Sequence, residues 1–165
     1  MDLKDKVPPH NLDAEQATLG AILFDSAAIS EIATILRPDR FYSFQNQLIY
    51  EAMLSLYKQN VAIDMLSLIN ELTKQGKLEQ AGGNAYIADL TNTVATSANI
   101  NYYVDIILDQ ATRRDLIRLS SDVRASAFDE THNSKVLLLF FLSLVINLSN
   151  FLIFLLIQFS LYIPL

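Results

Sequence analysis

The stretch NINYYVDIILDQATRRDLIRLSSDVRASAF, Asn99 to Phe128, decides the fold class. It runs without proline or glycine, so nothing in it breaks a helix. At ~1.5 Å rise per residue, one helix of this length would reach about 45 Å. That is long for a small domain and predicts an arm that packs on something else. Tyr102-Tyr103-Val104 and Ile106-Ile107-Leu108 make its first half apolar on nearly two faces. A helix apolar on two sides needs burial on both. One side is expected on the globular body. The other, with Leu116 and Ile117 further along, is a candidate self-association interface, made of Ile107, Leu108, Leu116 and Ile117.

Arg113, Arg114, Arg118 and Arg124 lie on the same helix, with Lys135 beyond it. Such a strip would suit nucleic acid or anionic lipid. Asp109 lies four residues before Arg113, and Asp122 four after Arg118, so intrahelical pairing absorbs part of the charge. No aromatic residue interleaves with the arginines to stack on bases. The strip reads as a solvated or protein-contacting face. The whole chain points the same way, with 12 basic against 18 acidic residues in 165 and a formal charge of -6.

Working back towards the N-terminus, the pattern stays helical. Pro8-Pro9-His10 closes an extended arm over residues 1–10, and Asn11 is the expected N-cap of a first helix, with Asp13 and Glu15 in its first turn. Leu12, Leu19, Ile22 and Leu23 are expected along its buried face. Ile29, Ile32, Ala33 and Leu36 predict a second helix after Asp25-Ser26, stopped by Pro38. A third is expected from about Phe44 to Lys58, with Phe44, Leu48, Ala52 and Leu56 on one face. Asp64 is placed to cap a fourth through Leu66, Ile69 and Leu72, ended by Gly76. Gly82-Gly83 precedes a short helix, Ala85 to Leu90. Asn60-Val61-Ala62-Ile63 is only a connector. The expectation is an all-α protein: a helical bundle over 11–98, then the long helix and its end over 99–135.

The last thirty residues, 136–165, differ in kind. They hold no Asp, Glu, Lys or Arg, and 23 of them are apolar. The rest of the chain has the apolar share of an ordinary soluble domain.

Little catalytic chemistry is legible. Cysteine is absent, which excludes disulfides, thiolate zinc sites and cysteine nucleophiles. The Gly76-Lys77 pair continues to Leu78 and has no glycine at P-loop spacing before it. His10 and His132 have no His or Cys at metal-ligand spacing and read as surface residues. Asp129-Glu130 reads as a solvated helix end. No catalytic, cofactor-binding or metal-ligating residue is therefore assigned. Met1-Asp2-Leu3-Lys4-Asp5-Lys6 is followed by no apolar run, so no signal peptide is expected and the cytoplasm is the expected location.

Residues 7–134 resemble the N-terminal domain of bacterial DnaB-type replicative DNA helicases. The resemblance rests on segments in order: Pro8-Pro9-His10-Asn11-Leu12-Asp13-Ala14-Glu15-Gln16 leading into Leu19-Gly20-Ala21-Ile22-Leu23; Arg40-Phe41-Tyr42 and Ile49-Tyr50; Ile63-Asp64 with Leu68; Gln75-Gly76-Lys77-Leu78; Gly82-Gly83 with Ala85-Tyr86-Ile87; and Ser97-Ala98-Asn99-Ile100 with Tyr103. It implies a helical bundle followed by a helical hairpin whose first arm is the long helix. It implies a place in the collar of a hexameric ring, with other helicase subunits and primase or a helicase loader as partners, and DNA only through a complete helicase. In that family the ATP and Mg chemistry belongs to a separate motor domain, so this chain is expected to need no cofactor and to be inactive alone as an enzyme. After Ser134-Lys135 the resemblance stops. Two accounts of residues 136–165 stand: a shifted reading frame that truncates the protein before its motor, which the codon-biased composition favours, or a membrane anchor. The second would make the chain a tail-anchored membrane protein with a cytosolic helical adaptor domain.

Overall fold

Asn11 opens the first helix: its side chain accepts the backbone N–H of Ala14 at 2.9 Å. The protein is described from a computed structural model, which covers residues 6–94, 96–128, 134–136, 138–139 and 141–143. Through residue 128 the described residues form the helices α1 (Leu12–Phe24), α2 (Ile29–Ile32), α3 (Phe44–Lys58), α4 (Met65–Lys74), α5 (Gly83–Leu90) and α6 (Ile100–Ala127). Single 3₁₀ turns at Ser26–Ala28 and Pro38–Arg40 lead into α2 and α3. No strand occurs among the described residues, so the all-α expectation holds.

The chain divides into two compact units, Met1–Asp115 and Leu116–Leu165. In the first, the core is built from every helix. Leu19 and Ile22 of α1, Ile29 and Ile32 of α2, Ile49, Tyr50 and Met53 of α3, Leu68 and Leu72 of α4 and Ile87 of α5 are closed to solvent. Ile100, Val104, Ile107 and Ala111 add one helical stripe from α6. Gly20 lets α1 approach the end of α5: a Cβ there would overlap Thr93 Oγ1 and the Leu90 carbonyl.

The ends of α3 and α4 share one device. After α4, Gly76 takes φ 67°, its N–H reaches the Thr73 carbonyl, and the Lys77 N–H reaches that of Leu72 at 2.9 Å. After α3, Asn60 takes φ 56° and the Val61 N–H reaches the Leu56 carbonyl at 3.0 Å. Both are Schellman ends, with orphan carbonyls satisfied by a left-handed residue. Asp64 and Ser67 form a reciprocal capping box at the start of α4.

Several expectations need correction. The second helix is one turn long, not a run to Pro38, because the N–H groups of Ile35 and Leu36 both fold back on the Ile32 carbonyl. Its stripe is nevertheless buried at Ile29, Ile32 and Leu36. Leu12, Phe44 and Leu66 are exposed rather than inward-facing. On α4 the buried positions are Leu68, Glu71 and Leu72, so the inward face is rotated from the expected one. The fifth helix begins at Gly83, two residues before Ala85. In the second unit, 134–136, 138–139 and 141–143 are helical.

Candidate interaction surface

The site begins with where α6 is fastened. At its start the Asn101 amide donates to Glu31 at 2.9 Å, and just before it the Ser97 hydroxyl donates to Asp25 at 3.2 Å. Fourteen residues on, the second fastening is denser. Arg114 donates one guanidinium N–H to the Pro9 carbonyl at 2.8 Å and another to the Arg40 carbonyl. Its Cζ lies 5.8 Å from the centre of the Tyr42 ring, against which His10 stacks with centroids 4.4 Å apart. Arg40 in turn bonds Asp115. Burial pulls the Arg40 guanidinium down, but its hydrogen bond to Asp115 and the charges of Asp39 and Asp115 more than offset it, so its pKa is raised. Burial dominates at Arg114, whose pKa is lowered despite the nearby charges of Glu15 and Asp115.

Glu15 holds this corner from beneath. It is 1 % exposed, and its carboxylate accepts the backbone N–H groups of Tyr42 and Ser43 and the Asn46 amide. Asn46 accepts from the Tyr86 hydroxyl at 2.7 Å, and that hydroxyl accepts from Gln16. A carboxylate expected to serve only the α1 dipole thus shapes the loop before α3 and ties three helices together. No local signal marks this, because its partners lie 27 to 31 residues away.

Past Asp115 the helix changes character. None of the described residues from 116 onward is buried. Leu116 and Ile117 are about half exposed, and Phe128 is 83 % exposed. Ile117, Ser121, Arg124 and Phe128 follow helical spacing along one face. Of the four residues expected at a self-association interface, Leu116 and Ile117 are open. Leu108 is half-buried against the core, and Ile107 is 2 % exposed within it. The expectation that Ile107 stays exposed is therefore corrected: the side needing a partner and the side facing the bundle were not separable from the run of apolar letters.

The basic strip resolves in part. Arg113 pairs with Asp109 at 2.8 Å, as the four-residue spacing implies, and Arg114 is spent on backbone carbonyls. His10 is exposed and hydrogen-bonded to the Pro8 carbonyl. Among the described residues no cluster of metal-ligating side chains occurs. His132 and Asp129-Glu130 lie outside them. A shallow groove of about 630 Å³ is lined by Pro38, Glu51, Leu54, Ser55, Lys58, Gln75 and Lys77, and Lys77 pairs with Glu51 at 2.8 Å.

The model of the DnaB-like helicase N terminal domain matches residues 7–109. The chain belongs to that family. The replicative DNA helicase DnaB of Treponema pallidum is 39% identical over 137 residues, covering 83% of this chain and 31% of that protein. The chain therefore spans about a third of that relative's length. The crystal structure of the N-terminal domain of DnaB helicase from Mycobacterium tuberculosis superposes with a TM-score of 0.79 at 30% identity, covering 86% of this chain and 99% of that one. A DnaB-like replicative helicase, solved in a study of its interactions with primase, aligns with a TM-score of 0.63 at 27% identity over 70% of this chain and 27% of that one. As a DnaB N-terminal domain, the chain has its family match confined to the bundle and the first part of α6. Leu116 and Ile117 lie just beyond it.

Proposed function

We propose that this chain is an interaction module of DNA replication, the collar domain through which a replicative helicase assembles with its own kind and docks primase, without motor chemistry of its own. The observation that carries the reading is the structural likeness to a DnaB N-terminal domain over 86% of this chain. Leu116 and Ile117, open on α6, are the residues proposed to meet another subunit. Primase enters because a helicase of this fold has been solved with its primase interactions in view. ATP and Mg belong to the motor of complete relatives, and no nucleotide site is proposed here. The proposed location is the cytoplasm, beside the replication machinery.

The test is a calorimetric titration of the cognate primase into the chain, with bovine albumin as the inert comparison. Saturable binding to primase alone supports the reading. Heats indistinguishable from albumin would remove primase from it.

The membrane-anchor alternative draws on the charge-free run 136–165. No helix among the described residues is long and apolar enough to cross a membrane, and 144–165 lie outside them. Flotation of the full-length chain with liposomes, against a chain ending at Ser134, tests that reading directly.

A further inference from the structure

The segment ahead of α1 reaches past that helix to the root of α6. Lys6, Val7, Pro8 and His10 are exposed, and Pro9 is half-buried. Two contacts fasten the segment to the body: the Pro9 carbonyl on Arg114, and the His10 ring on Tyr42. Both receivers belong to the second fastening of α6. Arg114 holds the Pro9 and Arg40 carbonyls together, and Arg40 bonds the neighbouring Asp115. Removing the segment would leave a half-buried guanidinium short of one acceptor, where a hydrogen bond to a charged group counts most.

We propose that residues 7–10 are a releasable strap that sets how firmly the last turns of α6 before Asp115 hold to the bundle. Consecutive prolines keep the strap extended, which lowers the entropy lost when it seats. Val7 is 67% exposed and Pro8 and His10 are exposed, so half-buried Pro9 is the one strap residue whose release uncovers much surface. What changes on release is local: Arg114 loses an acceptor, Tyr42 loses its stacked ring, and the α6 root is held by its apolar stripe and by Arg40–Asp115. The device would let anything that engages the N-terminus alter the grip on the arm helix.

Hydrogen exchange read by mass spectrometry on the full-length chain tests this. Peptides covering 104–115 report the root of α6, and peptides covering 46–56 in α3 serve as the internal reference. The strap is loosened by Pro8→Gly, Pro9→Gly and His10→Gly together, which adds no charge beside the α1 cap. Loosening should speed exchange in 104–115 by about tenfold, as loss of one charge-assisted hydrogen bond and one ring stack implies, and leave 46–56 unchanged. Arg114→Gln should do the same. Combined with the loosened strap, its effect should be clearly less than the product of the two, because both remove the Pro9–Arg114 contact. Arg113→Gln, on the next residue but paired with Asp109, should not couple to the strap. Unchanged exchange in 104–115, equal acceleration in 46–56, or effects of the strap and Arg114 that simply multiply would each overturn the proposal.

Discussion

Asn60 and Gly76 do the same work with different side chains. Both sit two residues past the last helical residue, at positive φ, and only one of them is the residue expected there. Gly76 is legible because glycine at that place has a known use; Asn60 reads only as connector because asparagine is common in loops for several reasons. Asn60→Ala should cost about 1 kcal/mol by forcing a Cβ into the left-handed region without the asparagine's local hydrogen bonding, and Asn60→Gly should cost nothing, read as urea-unfolding midpoints. Asp64 offers a second test. Backbone hydrogen bonding from Ser67 holds its carboxylate below the usual 3.8. A depressed folded-state pKa contributes stability that is present above the unfolded value and is lost as pH falls through the folded one. Asp64→Asn keeps a good cap but cannot titrate, so its stability should fall less than wild type's on acidification. Asp64→Ala should lose about 1 kcal/mol already at neutral pH. Equal acid limbs for wild type and Asp64→Asn would show that this carboxylate does not contribute.

At the scale of elements, helix limits were easier to read than helix faces. The third helix runs from Phe44 to Lys58 as its letters suggest, and the long one from Ile100 to Ala127. Breakers and caps are local, so a sequence displays them. Which side of a helix faces in depends on partners far along the chain. Leu66 and Leu68 are equally apolar, and packing of α4 against α3 buries the second while the first stays 69% exposed. The inward position of Ile107 is hidden for the same reason, because it lies in a run apolar on two sides. Glu15 is the extreme case, its role set by residues of the loop before α3. Gly20 makes the α1–α5 contact testable. Gly20→Ala must push against a backbone carbonyl as well as Thr93, so it should destabilise by about 1–3 kcal/mol despite alanine's better helix propensity. Thermal unfolding showing alanine neutral or stabilising would mean that α5 yields freely there.

For the whole molecule, the family match ends at residue 109, and residues 136–165 differ most in composition from the matched part. Val136, Leu138, Leu139 and Leu142 are each more than half exposed. Every such side chain forgoes up to roughly 1.5–3 kcal/mol of burial, and a small domain's total stability is only about 5–15 kcal/mol. Without detergent the full-length chain should therefore aggregate at concentrations where a chain ending at Ser134 remains dispersed, measured by light scattering. Equal scattering would show that the apolar run has found internal cover.

We propose that this domain assembles through the face of α6 that opens after Asp115. Sedimentation velocity over a concentration series measures it most directly, using the chain ending at Ser134 and the same chain carrying Leu116→Glu and Ile117→Glu. Neither residue is buried in this chain, so the double variant should fold like its parent. The parent should sediment faster as concentration rises, and the variant should stay monomeric throughout. A parent that is monomeric at every concentration, or a variant that associates as strongly as the parent, would contradict the account.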